Sequence, residues 1–271
     1  HAVPGGKVEI AYPGGSSNFH LSQSRVEGFT QELRDTYEVQ MTDDLEDVAR
    51  KSDAILLESV DGGQHLQQLE KIIAYQKPVF IDKPFALTLE DADEMIRLSE
   101  MYETPLMSSS ALRFAENLQG IIKDSSRGNI IGADCFGPMD IQPSQPGYFW
   151  YGIHMVEMLF TILGKGVREI TAQRTQDHDV LMGRWHDGRF GTIRGNRLGN
   201  HQFGAVVHFE KESVYVDISK QKKPYYASLL EEVMAFFHHR ISRVPISETR
   251  AIIQFIEKAN ESRLKGKKIL V

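Results

Sequence analysis

The sequence predicts two architectures in succession. A doubly wound α/β domain with a parallel sheet spans residues 1–111, and an α+β domain with an open, mostly antiparallel sheet spans residues 112–271. Short apolar runs alternating with helical patterns predict the first. A nearly complete βαβ unit between Asp53 and Pro84 supports it. A series of short alternating or β-branched runs, separated by turn residues, predicts the second.

The βαβ unit anchors the reading. Ala54-Ile55-Leu56-Leu57 is short enough for a buried strand. A polar break from Glu58 to Gln64 follows, then a helix with Leu66, Leu69, Ile72 and Ile73 at three- and four-residue spacing. Lys77-Pro78 ends that helix, because proline disfavours helical geometry in the residue before it. Val79-Phe80-Ile81 is the second strand and runs into Asp82-Lys83-Pro84. In such sheets ligands gather at the carboxyl ends of the strands, where both polar clusters fall.

Before this unit, Lys7–Tyr12 reads as a strand, Ser24–Leu33 as a helix with Val26, Phe29 and Leu33 on one face, and Tyr37–Met41 as a strand. Thr42 or Asp43 caps a short helix carrying Leu45, Val48 and Ala49. After the unit, Thr88 with Asp91 three residues on matches a capping box, and Pro105–Ser108 is the next strand. In the second half, strands are expected from Gly128 to Phe136 and at 167–175, 179–185, 189–194, 205–209 and 213–219, as an antiparallel meander. His178-Asp179 and His186-Asp187 read as turn or sheet-edge residues. Apolar helices are expected from Tyr151 to Leu163, from Tyr226 to Arg240 and from Ser247 to Leu264.

Composition narrows the function. The chain has 271 residues, 41% hydrophobic and 25% charged, with a net charge of −6. That balance fits an ordinary soluble globular protein and argues against a nucleic-acid surface. Lys265 to Lys268 reads as a solvated basic tail. The lone Cys135 excludes an internal disulfide and a cysteine-based zinc site, and it suits a reducing, cytoplasmic compartment. No apolar run approaches the roughly 18 residues of a membrane span, so no membrane partner is expected. No signal peptide is visible, although the chain begins at His1 and not at methionine. The histidines of the second half show no metal-ligand spacing, and the motifs of serine hydrolases and P-loop enzymes are absent, so no metal site is expected.

The apolar strand, Ser59-Val60-Asp61, His65, the helix and Val79-Phe80-Ile81-Asp82-Lys83-Pro84 together resemble the Gfo/Idh/MocA family of NAD(P)-dependent oxidoreductases. Asp82-Lys83-Pro84 is a close variant of the family's Glu-Lys-Pro signature. The resemblance is fairly specific from Asp53 to Phe114 and looser beyond. It implies a Rossmann-type parallel sheet, incomplete at the N-terminus: no strand–G-x-G-x-x-G–helix fingerprint exists in this sequence. Lys7–Tyr12 would then be the second strand of the fold, with the first strand and glycine loop upstream of His1. The alternative is a protein that lacks them and binds no dinucleotide. The family's second domain has an open sheet that often forms an oligomer interface, which implies a homodimer or homotetramer.

The resemblance also assigns roles. Lys83 would hydrogen-bond the reacting oxygen; otherwise it is a strand-end lysine facing water. His154, in Tyr151-Gly152-Ile153-His154 with Glu157 three residues on, would be a general acid/base, since histidine titrates near neutrality; otherwise it is a core histidine. Many members place an aspartate four residues before that histidine, whereas Trp150 stands there in this chain. Tryptophan can stack on a ring but cannot relay a proton. Arg113, Trp150, Tyr151 and Glu157 are substrate candidates, Arg113 being equally suited to a structural salt bridge. The cofactor candidates are Tyr12, Ser16, Ser17, Ser59, Val60, Asp61, His65, Asp82, Lys83 and Pro84. Residues 12–17 place no carboxylate at the end of the second strand, which slightly favours NADP over NAD.

The expected activity is hydride transfer between nicotinamide and a sugar, polyol or related hydroxylated small molecule. The alternatives are a catalytically silent nucleotide or sugar sensor of the same fold, or a glycosidase that uses NAD transiently.

Overall fold

The structure, a computed structural model, describes residues 2–271. The chain forms two compact units. One comprises Ala2–Ser109 and Leu230–Ile246, and the other Ser110–Leu229 and Ser247–Val271.

In the first unit every strand pairing is parallel. β1 (Ile10–Ala11) pairs with β2 (Gln40–Met41). β3 (Ile55–Leu57), β4 (Val79–Ile81) and β5 (Leu106–Ser108) form a separate sheet with β4 in the centre. All three residues of β4 are buried, as a strand covered on both faces requires. The strands expected at Lys7–Tyr12 and Tyr37–Met41 shrink to two residues each. Tyr37 instead closes α1 (His20–Tyr37), which ends on Glu38 in the left-handed conformation at φ 55°. Helix propensity carries α1 well past the stretch that its apolar stripe marks. Phe29 on that stripe is 58% exposed, and Ser22 is the helix's one buried residue.

α2 (Leu45–Lys51) is capped by Asp44, one residue later than expected, its carboxylate accepting the Glu46 N–H. α3 (His65–Ile72) and α4 (Leu89–Met101) follow. Thr88 caps α4 by accepting the Asp91 N–H at 3.0 Å. Leu69, Ile72 and Met95 join β4 in the buried core of this unit.

The second unit opens with α5 (Glu116–Lys123), which no sequence signal had marked. It then builds seven strands: β6 (Ile130–Pro138), β7 (Val167–Arg174), β8 (His178–Trp185), β9 (Phe190–Asn196), β10 (Gly204–Phe209), β11 (Ser213–Asp217) and β12 (Ile269–Leu270). Their order is β11-β10-β6-β9-β8-β7-β12. The sheet is mostly antiparallel, but it is not a meander. β6 is inserted between β10 and β9 and runs parallel to β9.

Alternation gives this sheet two unlike faces. Ala133, Cys135, Leu181, Ile193 and Val207 point to the buried side, where α6 (Gly152–Leu163) packs on β6 and β9. Ten of the twelve α6 residues are buried, so this helix is apolar nearly all round. On the opposite side Val180, Met182, Phe190 and Tyr215 are exposed. α7 (Tyr225–His239) and α8 (Ile246–Lys265) close the chain before β12.

A further expectation needs correction. His178-Asp179 is not a turn: both residues lie in β8, and Asp179 is fully buried. Its carboxylate accepts from Tyr148 Oη at 3.0 Å and Arg263 Nε at 2.9 Å and also pairs with Arg197. Charge neutralisation by two guanidinium groups lets a carboxylate occupy the core. The basic stretch at the end is exposed, as expected, and its last residues are also paired. Lys268 pairs with Glu169 at 3.2 Å, and β12 adds an edge strand to β7. Among the described residues, no helix is long and apolar enough to cross a membrane, and no group of three or more His, Cys, Asp or Glu side chains is placed to hold a metal.

Candidate active site

Candidate residues occur in both units. In the first, the parallel register sets Leu57 opposite Ile81, and the Asp82 N–H donates to the Leu57 carbonyl at 2.9 Å. Glu58 and Asp82 therefore leave adjacent strands side by side, at the carboxyl end where such sheets bind ligands. Lys83 and Pro84 follow directly. Lys83 is half-buried, and the Lys83–Pro84 peptide is cis.

The three charges act on one another. Burial, then the neighbouring Asp82 charge, pushes the Glu58 carboxyl up to about 8, while Lys83 pulls it down. The Asp82 carboxyl is raised by burial, against Lys83 and His65. Glu58 is exposed to solvent yet surrounded by protein at the strand ends, so water moderates its shift. Two carboxyls so placed share protons rather than titrating independently.

His65 supports this corner from beneath. It is fully buried, with Nε2 2.8 Å from the Ser59 carbonyl and Nδ1 3.0 Å from the Pro84 carbonyl. It thus ties the loop after β3 to the loop after β4. Burial lowers its pKa against those carbonyls and the Asp82 charge. Asp61 caps the next turn through the Gly63 N–H at 3.0 Å and accepts from Ser16 Oγ at 2.5 Å. Gly62 passes so close to Pro84 that a Cβ there would lie 2.7 Å from the proline ring. Ser59 and Val60 are half-buried, Ser17 is exposed and Tyr12 is 38% exposed. Ser16, by contrast, is buried and committed to Asp61.

In the second unit, His154 lies in the first turn of α6 and is half-buried. Its Nδ1 is 2.7 Å from Ser110 Oγ. Tyr151 and Phe203 meet its ring edge-on, with centroids 5.8 and 5.5 Å away. One turn on, Glu157 is buried and accepts from Arg113 Nε at 2.7 Å, while Arg113 Nη1 meets Glu248 at 2.7 Å. Desolvation alone would lower the Arg113 pKa, but the two carboxylates more than offset it and raise it. Burial raises the Glu157 pKa against the Arg113 charge. Both substrate candidates thus spend their charge on each other. Trp150 is 8% exposed and follows the buried Tyr148 and Phe149, its ring 5.9 Å from that of Tyr151. Of the four substrate candidates, Tyr151 lies beside His154, and the other three are buried.

Two residues escaped the sequence reading. Glu58 sat in a polar break with nothing to distinguish it; only register with β4 brings it to Asp82. Ser110 lay in the run Ser108-Ser109-Ser110, and the partner that singles it out is 44 residues away.

The first unit fits part of a dinucleotide. Ser59, Val60, Asp82 and Lys83 lie half-buried at the strand ends, the edge where such sheets take ligands. A phosphate-cradling glycine turn between strand and helix is not among the described residues. The β1–α1 connection carries Gly14-Gly15, neither of them at positive φ.

Comparison with known proteins bears on the fold. Residues 20–109 match the family described as the oxidoreductase family with an NAD-binding Rossmann fold. That family is Gfo/Idh/MocA, and the match covers residues 20–109, about a third of the chain. Solved structures share the fold over nearly the whole chain. GenD2 from gentamicin A biosynthesis, in complex with NAD, is 16% identical with a TM-score of 0.79, covering 100% of this chain and 99% of that one. Apo scyllo-inositol dehydrogenase from Lactobacillus casei is 12% identical with a TM-score of 0.81, covering 99% of each chain. Myo-inositol 2-dehydrogenase from Lactobacillus plantarum is 14% identical with a TM-score of 0.80, covering 98% of this chain and 91% of that one. No curated protein matches in sequence.

Proposed function

We propose that this protein is an NAD(P)-dependent dehydrogenase acting on a hydroxyl of a polyol or sugar. The observation that carries the reading is Lys83, half-buried at the carboxyl end of β4 between Asp82 and Pro84, within the family-matched segment. An ammonium group there donates to the substrate oxygen and stabilises the negative charge that develops as the hydroxyl proton leaves. For His154 in the second unit, the proposed role is the general acid/base that the resemblance implies. Bound nicotinamide supplies the hydride acceptor or donor. The Glu58 carboxyl beside Lys83, pushed up to about 8 by burial, is a candidate for proton exchange. The inositol dehydrogenases among the similar folds support a cyclic polyol as the first substrate to try.

The choice of nucleotide rests on the loop after β1. It carries no carboxylate at the strand end, which favours NADP, but its Ser16 is tied to Asp61, whose charge opposes a phosphate. Titration with NADH and NADPH by calorimetry, followed by assays with myo-inositol and related polyols, tests the reading. Lys83→Ala should lower turnover about 10²-fold or more while nucleotide affinity holds, as loss of a transition-state contact requires. Full activity in that variant would falsify the role of Lys83.

A catalytically silent sensor is the second reading. It is favoured by Trp150, buried where the family resemblance calls for a proton-relaying aspartate. Tight nucleotide binding without turnover of any polyol would select it. The partner surface we propose for either reading is the open face of the seven-stranded sheet, where exposed Val180, Met182, Phe190 and Tyr215 suit a second copy of the chain in a dimer or tetramer. Cytoplasmic residence belongs to the same proposal and rests on the ordinary composition and the single buried cysteine.

A further inference from the structure

We infer that Ser110 is the positioning residue for His154. It holds the imidazole through Nδ1 and leaves Nε2 as the atom that exchanges a proton. The inference rests on the general acid/base role proposed for His154, and it adds what orients that group in a chain with tryptophan at position 150.

The geometry is direct. Ser110 Oγ and His154 Nδ1 are 2.7 Å apart, a full-strength hydrogen bond. Ser110 is 1% exposed, so water does not compete for the contact. The serine is itself fixed from two sides. Its Oγ accepts the Leu112 N–H at 3.3 Å, at the start of a short helical turn, Ala111–Phe114. Its backbone N–H donates to the Glu157 carboxylate, which in turn is held by Arg113. His154 and Glu157 share one face of α6 at three-residue spacing, so helix and turn are joined twice over, through the serine side chain and through its main chain.

A hydroxyl differs from a carboxylate in this place. It adds no charge and can rotate, accepting from Nδ1–H when the ring is neutral at Nε2 or fully protonated, and donating when Nδ1 is bare. It therefore fixes ring orientation through the whole proton cycle and favours the imidazolium only through its dipole, whereas an aspartate partner would add a full charge.

The test is ¹⁵N NMR of the full chain labelled at histidine, with the His154 signals assigned by their loss in His154→Gln. Ser110→Ala should move the His154 Nδ1 resonance, change its tautomer ratio and shift its titration midpoint. The conservative Ser110→Thr should restore them. Unchanged His154 resonances and midpoint in a folded Ser110→Ala would overturn the inference. So would a change of equal size at a distant histidine such as His186, which would mark a general loosening. The readout does not depend on turnover. If the ring responds to Ser110 while neither nucleotide nor polyol is bound or turned over, the dehydrogenase reading fails and the positioning contact stands. Where wild type oxidises myo-inositol, Ser110→Ala should lower kcat about tenfold with KM little changed, part of the roughly 10²- to 10⁴-fold that a placed acid–base group contributes.

Discussion

The two units solve the problem of holding a reactive side chain in opposite ways. The first places Glu58, Asp82 and Lys83 at the ends of strands only three residues long, joined by bare backbone ladders and braced by His65. The second places His154 on a twelve-residue helix buried nearly all round and packed on strands of up to nine residues. In the first, the charges stand where water reaches them and their proton affinities are coupled. In the second, the charges behind the histidine are buried and paired, and they serve orientation. The difference teaches that a titrating group needs partial exposure to exchange protons, while a group that only positions another gains from burial, because desolvation strengthens each hydrogen bond it makes.

The largest expected effect breaks the buried side. Arg113→Met leaves Glu157 and Glu248 without their cation and should cost about 3–5 kcal/mol, measured by urea unfolding of the whole chain. A cost near zero would mean that the ion triad does not hold Ser110 and α6. On the exposed side the leverage is smaller and steric. Gly62→Ala drives a methyl group into the Pro84 ring and should cost about 1–3 kcal/mol. It should also lower activity by displacing Lys83, so a stable and fully active variant would refute the close fit. The smallest effect is electrostatic. Glu58 binds its proton more tightly in the folded chain, so the stability it confers is complete below the ordinary value of 4.5 and is lost as pH rises through about 8. Glu58→Gln should therefore melt higher than wild type at pH 9 and match it at pH 4. Equal melting differences at both pH values would show that folding does not raise the Glu58 pKa.

The sequence made the first unit legible wherever period and punctuation agreed. The runs 54–57 and 79–81 and the cap at Thr88 all appear, because each is a local decision. It misled where long-range pairing decides. β6 slipped between β9 and β10, because strand partners are chosen by the whole sheet and not by a neighbouring turn. Asp179 read as a turn residue since aspartate seldom lies in a core; nothing local announces Arg197 and Arg263 as its partners. The candidate site was legible to the same extent. Lys83, His65 and His154 carry motif context. Glu58 and Ser110 are ordinary residues made special by what the fold sets opposite them.

The chain crosses between its units after Ser109, after Leu229 and after Ile246. The boundary drawn at residue 111 from the sequence therefore describes an interval, whereas the first unit is a body that borrows its last seventeen residues from beyond its companion. Met234 from that borrowed stretch lies against Gly5 and Gly6. In evolutionary terms, such a unit cannot be exchanged as a cassette by one recombination event. A gene fusion that copied only the codons for residues 1–111 would carry the strand-end candidate residues while leaving behind Leu230–Ile246, part of the same body.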